Sequence, residues 1–341
     1  MLCSDCGTCY PIVEGVPDFG AGGEYYGEMP QETMKALLAE IPQIGWKEAV
    51  YKYLCARSPW AYQIVMDETR ADWQFLLSLG RNHSVLDVGS GWGTISVPLS
   101  RRCGHVVAMD STLERCQFLK LRCIEDDVYN VLPVRANILE SPLCENQFDL
   151  VVFNGSLEWI GESNLTGSPR SLQLEALKSA QKLCREDGFL YIGIENSYGS
   201  KYLLGFPDDH AGIKGISFLP RGEADELSAL TRGKPYRTYT YSHEEYRNMV
   251  EEAGFCDIEF YYPLPDYKSA TYIASLEGDY RIPLEFLLTH LYDPYVLSTS
   301  HWHGQMGLEF WRTVGQLERV AAKLQVLHCF AASFSIIARK R

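Results

Sequence analysis

The stretch Val85-Leu-Asp-Val-Gly-Ser-Gly-Trp-Gly93 constrains this chain more than any other. An apolar run of strand length gives way to three glycines at alternate positions, and a helical pattern resumes at Thr94. The order is strand, tight turn, helix, with the turn bare enough for a ligand to approach the backbone. A second short apolar run, 105–109, ends in Asp110. A carboxylate at the tip of a second strand can accept hydrogen bonds from both hydroxyls of a ribose.

The alternation continues down the chain. Strands fit at 84–88, 106–109, 132–135, 148–153 and 189–194, and helices at 94–101, 113–123 and 171–185. Strands separated by helices predict an α/β fold with a parallel sheet and right-handed crossovers. In such sheets the ligand lies beyond the carboxyl ends of the strands. The polar and glycine residues fall there. Gly89, Ser90, Gly91 and Gly93 follow the first strand, Asp110 and Ser111 the second, and Asn137 and Ile138 the third. Asn154 and Gly155 follow the fourth, Glu195 and Asn196 the fifth.

The spacing G-x-G-x-G after Asp87 differs from the dinucleotide fingerprint G-x-G-x-x-G. A carboxylate at that position favours a ligand with a cationic amino group and disfavours a pyrophosphate. With Asp110 at its distance, the loop resembles motif I of the class I S-adenosylmethionine (SAM)-dependent methyltransferases. Phe148-Asp-Leu-Val-Val-Phe-Asn-Gly-Ser-Leu-Glu-Trp-Ile160 resembles their motif IV. The resemblance runs from about residue 82 to 194. It implies a Rossmann-like seven-stranded sheet with the last strand antiparallel, and S-adenosyl-L-methionine as cofactor. It also implies a cofactor site built from Asp87, Gly89, Ser90, Gly91, Gly93, Asp110, Ser111, Asn137, Ile138, Asn154 and Gly155. Asn137 stands where the family usually carries an acidic residue beside adenine. Its amide can accept from the adenine amino group and donate to a ring nitrogen. Asn154 would face the methionine end, with Glu158 and Trp159 near the methyl group.

Five segments are expected: a cysteine-containing leader over 1–30, helices over 31–80, and the cofactor-binding core over 81–262 plus 329–341. A substrate lid occupies 197–240 within the core, and a cap occupies 263–328. The leader carries Cys3 and Cys6 at zinc-knuckle spacing but lacks a second pair, so a small β-hairpin with free thiols is the plainer reading. Residues 20–30 read as a linker or an ordered loop near the ligand. In 31–79 the apolar spacing is helical, with breaks near Pro42 and Pro59, and the aromatics Trp46, Tyr51, Tyr53, Trp60 and Tyr62 read as core. Residues 197–239 show no strong helix or strand period, as befits a functional loop. Ser242 and Glu245 form a capping box for a helix stopped by Gly254. Strands at 257–262 and 331–338 follow, with a helix at 307–326 between them.

A hydroxyl acceptor needs a base, because its own pKa lies far above neutral. The candidates are His210, Asp208, Asp209, Glu158, Glu195, His301 and His303, with His210, Asp209 and Glu158 chosen as the catalytic set. The spacing of Asp208-Asp209-His210 and of His301-x-His303 is not diagnostic of a metal, and none is expected. The runs Ile194-Glu-Asn-Ser-Tyr-Gly-Ser-Lys-Tyr-Leu-Leu-Gly205 and Tyr261-Tyr-Pro-Leu-Pro-Asp-Tyr267 resemble methyltransferases of bacterial cell-surface glycan genes. That resemblance implies a sugar or other small-molecule hydroxyl as acceptor.

Lys and Arg number 31 against 44 Asp and Glu, a net charge of −13, and no dense basic run stands out. Such a field repels nucleic acid. An RNA methyltransferase, which only the cysteine leader suggests, is therefore the weaker reading; a SAM-binding protein without turnover is a third. The 11 cysteines are odd in number and scattered, and no basic start with a long apolar core precedes them. A reduced, cytoplasmic chain without membrane insertion is expected.

Overall fold

The computed structural model describes residues 1, 7–20, 25, 27–163, 167–279, 284, 287–288 and 307–341. Cys3, Cys6, His301 and His303 lie outside the described residues, as does most of the segment expected to form the cap. The chain divides into two compact units. One holds Met1–Asn154, Lys178–Tyr191 and Lys340–Arg341; the other holds Gly155–Leu177 and Ile192–Arg339.

The first unit begins with the expected small hairpin, β1 (Ile12–Val13) antiparallel to β2 (Val16–Pro17). Its sheet contains β3 (Ser84–Val88), β4 (His105–Asp110), β5 (Val131–Arg135) and β6 (Phe148–Asn154). These run in the order β5-β4-β3-β6, and β3 is parallel to both β4 and β6. β4 and β5 are parallel too. The apolar runs make this arrangement favourable, because a parallel strand is covered on both faces. Leu86, Leu150 and Val151 have no exposed surface. The strand order reverses at β3, since the chain leaves it for β4 on one side and later returns as β6 on the other. Such a reversal opens a crevice at the carboxyl ends of the strands.

Helix Gln31–Ile44 buries Met34, Leu37 and Ile41, a single stripe at helical spacing. The stripe packs in one apolar cluster with Trp46, Trp92 and Phe118. Pro42 lies in the last turn, and the helix ends at Gly45, whose φ is 83°. The break expected at Pro42 is thus a glycine break three residues later. Ser58 caps helix Pro59–Met66, and Asp67 caps a separate 3-10 segment Glu68–Leu76. Residues 67–70 therefore mark a junction between the two. Trp46 is core, whereas Tyr51 and Trp60 are exposed; short helices leave part of their aromatic surface to solvent.

β7 (Cys184–Glu195) contributes residues to both units. Helix Pro169–Leu183 stops where β7 starts, two residues before the expected end. In the second unit the strand order is β7-β10-β8-β9, with β8 (Phe255–Leu264), β9 (Tyr272–Ser275) and β10 (Ser333–Lys340). β9 pairs antiparallel with β8 and is a strand beyond the seven expected. Helix His243–Glu252 carries the capping box of Ser242 and Glu245. The segment read as lacking period contains helix Arg221–Arg232, closed by Gly233 at φ 75°. Its buried positions are Ala224 and Ser228, too small and too polar to mark an apolar stripe in the sequence. Among the described residues no helix is long and apolar enough to cross a membrane.

Candidate functional site

In the first unit the turn after β3 is built by its glycines. Gly89, Gly91 and Gly93 have φ of 76°, 50° and 75°. The amides of Gly89 and Ser90 donate to the Met109 carbonyl at 2.8 and 3.0 Å, which ties the turn to the end of β4. A Cβ on Gly91 would meet nothing closer than 3.9 Å, so the backbone there faces open space. A Cβ on Gly93 would lie 2.2 Å from Leu119 Cδ1, so this glycine lets helix Leu113–Glu125 approach. Gly93→Ala is expected to destabilise the protein by about 1–3 kcal/mol, through overpacking and strain at positive φ. A chemical-denaturation midpoint equal to wild type would show that Leu119 yields at no cost.

The register sets the polar residues side by side. Val88 is opposite Met109 on one flank and Phe153 on the other. Gly89, Asp110 and Asn154 therefore leave the sheet together. Asp110 accepts from the Gly91 amide and the Thr112 amide, both at 2.8 Å. Burial raises its pKa, and those backbone donors oppose the rise. Ser90 and Asn154 are buried, and the Ser90 hydroxyl and both amide atoms of Asn154 find no hydrogen-bond partner among the described residues. Buried polar atoms are ordinarily satisfied. Orphans at the carboxyl ends of β3 and β6, beside an open glycine, are what a polar ligand would complete.

The remaining expected cofactor residues divide. Asn137 Oδ1 accepts from the Leu139 amide at 3.1 Å and caps the turn Ile138–Glu140. Its carbonyl thus has a structural task, and its NH₂ remains the group to meet a ligand. Ile138 is buried and Ser111 exposed. Gly155 stands in the second unit, where a Cβ would lie 2.8 Å from the Tyr267 hydroxyl. Asp87 is buried and accepts from Ser96 Oγ at 2.5 Å.

Burial pushes the Asp87 pKa up to about 6; Ser96 opposes the shift and the charge of Asp110 adds to it. The linkage follows from its sign: the folded pKa is raised, so protonated Asp87 is the better-tolerated form. The stability it contributes is present below about pH 4 and is lost as the pH rises through about 6. Asp87→Asn should therefore gain about 1–3 kcal/mol on wild type at pH 7, and the two should converge near pH 4. Urea unfolding at the two pH values measures this, and a difference independent of pH would contradict it.

Three residues near the loop escaped the sequence reading. Arg115 lies with its guanidinium 4.2 Å from the Trp92 ring centroid and pairs with Glu28. Trp92 Nε1 also donates to Glu28 at 3.3 Å. The Tyr25 hydroxyl is buried without a hydrogen-bond partner among the described residues. A signal for Arg115 was present: a cation in the first turn of a helix opposes the macrodipole.

The second unit holds a separate cluster of buried charge. Glu158 lies in the turn Leu157–Trp159, Glu195 ends β7, and His210 follows Asp208 and Asp209. His210 Nε2 is 3.6 Å from Glu158 and 3.8 Å from Glu195, and all three side chains are buried. The Trp159 ring meets the imidazole edge-on at 5.0 Å. Burial lowers the His210 pKa, but the charges of Glu195 and Glu158 outweigh it and bring the value to about 9. Burial and Glu195 push Glu158 upward.

The neighbours of His210 in sequence act differently from expectation. Asp208 accepts from the His210 amide at 3.0 Å and from the Tyr236 hydroxyl at 3.0 Å, so it shapes the turn. Asp209 accepts from Lys201 at 2.7 Å and Tyr202 at 2.6 Å, and Lys268 lies 3.5 Å away. Burial opposes its ionisation, but Lys201 and Lys268 hold its pKa below the usual carboxylate range. Asp209 is therefore an ion-pair partner of two lysines, and the carboxylates facing His210 are Glu158 and Glu195. Lys268 also binds Glu195 Oε1, to which Tyr267 donates at 3.1 Å. Neither lysine carried a signal in sequence.

Residues 85–188 match the family described as Methyltransferase domain. None of the curated proteins matches the chain. Among solved structures, YcgJ of Bacillus subtilis is 15% identical with a TM-score of 0.43, the alignment covering 80% of this chain and 98% of that one. A SAM-dependent methyltransferase of Thermotoga maritima, a possible histamine N-methyltransferase, is 13% identical with a TM-score of 0.45, over 86% and 100% of the two chains. A geranyl diphosphate methyltransferase in complex with SAM is 12% identical with a TM-score of 0.44, over 90% and 94%. At such identities and scores the family match is the finding that bears on function. Residues 85–188 thus carry a methyltransferase domain.

Proposed function

We propose that this SAM-dependent methyltransferase is an O-methyltransferase whose acceptor is a hydroxyl of a small, sugar-containing molecule. In the cofactor site, Asp110 takes the ribose hydroxyls, Gly89–Gly93 take the amino-acid tail, and Ser90 and Asn154 supply the polar contacts that they lack. Glu158 takes the acceptor proton, the protonated His210 beside it positions that carboxylate, and Asp209 fixes Lys201 and Lys268 around Glu195. In the transfer, the acceptor oxygen forms a bond to the methyl carbon as the C–S bond breaks. The electron pair of that bond passes to sulfur, which becomes neutral in S-adenosylhomocysteine, and the hydroxyl proton goes to the base. Much of the rate can come from placing the oxygen in line with the C–S bond.

The observation that carries the reading is Glu158. Its carboxylate is buried beside His210, and neither oxygen has a hydrogen-bond partner among the described residues. Amine and carbon nucleophiles can react without a strong base, whereas a hydroxyl, whose pKa lies far above neutral, needs one. The glycan side of the reading is supported by the resemblance of the runs 194–205 and 261–267. The test is S-adenosylhomocysteine release with panels of sugar, phenol and amine acceptors, the product being located by NMR. An O-methyl sugar is expected; release with amines alone would overturn the proposal.

A further inference from the structure

We infer that Glu158, Glu195 and His210 form a binding site for one divalent cation, of the kind that accepts mixed oxygen and nitrogen ligands. Each offers a ligand atom, and the three atoms lie within 4.8 Å of one another. All three side chains are buried. Both oxygens of Glu158 and Oε2 of Glu195 lack a hydrogen-bond partner among the described residues. Leaving such oxygens without a hydrogen bond is costly, and coordination would satisfy them together.

The charge balance points the same way. Among the described residues, five carboxylates, of Glu158, Glu195, Asp208, Asp209 and Asp266, gather with two lysines, Lys201 and Lys268, and one histidine. With His210 protonated the cluster still carries two negative charges in excess. A metal-bound His210 is neutral, which raises the excess to three, and a dication leaves one. Buried charge without compensation is strongly disfavoured.

The second ring of contacts is built for orientation. Glu195 presents Oε2 to His210 because Oε1 is held by Lys268 and Tyr267. Asp208 fixes the His210 backbone through its amide. Such outer contacts aim first-ring ligands. Ligand atoms on adjacent corners of an octahedron with 2.1 Å bonds are about 3 Å apart, so binding needs contractions of about 0.6 to 1.8 Å, the largest between the most widely separated pair. Two carboxylates and one imidazole suit Mn²⁺ or Fe²⁺ and leave positions open for water or a hydroxyl. A hydroxyl on that cation would ionise more readily, which completes the proton-removing site proposed above. That consequence rests on the proposed function; the binding itself does not.

The experiment uses the full chain, freed of metal by chelation, titrated with Mn²⁺ and followed by the loss of the free-ion electron paramagnetic resonance signal. One Mn²⁺ per chain is expected, with affinity at least tenfold weaker in Glu158→Gln and in Glu195→Gln. Far-ultraviolet circular dichroism and SAM binding check that both variants fold. No Mn²⁺ uptake by the wild type, or equal uptake by a folded Glu158→Gln variant, would overturn the inference. Because no acceptor is present, failure here leaves the O-methyltransferase reading standing, and failure to find a hydroxyl acceptor leaves the site standing.

Discussion

His210→Ala is expected to lower turnover about a hundredfold or more while leaving SAM affinity unchanged. The imidazole is buried between Glu158 at 3.6 Å and Glu195 at 3.8 Å, and the Trp159 ring meets it edge-on. Removing it leaves two buried carboxylates facing each other, a pairing of like charges that keeps a proton on one of them, so the pair is no longer set to take the acceptor's proton. The SAM side should be spared, because the glycine turn and Asp110 are held by contacts within the first unit. Calorimetry with SAM and steady-state release of S-adenosylhomocysteine separate the two effects. Wild-type turnover in a folded variant would remove His210 from the chemistry.

Asp110→Ala should weaken SAM binding by about 1–3 kcal/mol, the cost of losing a charged acceptor. The structure adds a second reason for the loss. Asp110 pins the Gly91 amide and the Thr112 amide at 2.8 Å each, so the alanine variant also frees the turn that receives the ligand. Asp110→Asn retains an acceptor for one of those amides and should lose less. Equal affinity of the alanine variant and wild type, measured by calorimetry, would mean that the ribose is gripped elsewhere.

The first unit of this protein was written locally. β3 falls at the expected residues, and β4, β5 and β6 extend by one residue at one or both ends. The glycines are in the conformations their spacing implied. Each of these features depends on a strand, a turn and the helix that follows, all within a few residues. Helix Arg221–Arg232 was hidden because Ala224 and Ser228 give no apolar contrast, although Gly233 marked its end. The break near Pro42 was misplaced because a proline in a last turn is tolerated there and Gly45 ends the helix instead.

The charged cluster was not legible in the same way. Histidine and both glutamates could be named as candidates, but their partners could not. Lys268 meets Glu195 from 73 residues away, and Lys201 meets Asp266 from 65. Asp209, adjacent to His210 in sequence, turns toward those lysines, while Glu158 approaches the imidazole from another segment. Sequence by itself determined the glycine turn, the carboxylate that follows the second strand and the alternation that makes a parallel sheet, because periodicity and turn chemistry are short-range. Only the tertiary structure decided which buried charges face one another. Pairing in a low-dielectric interior depends on distance in space, and chain separation carries almost none of that information.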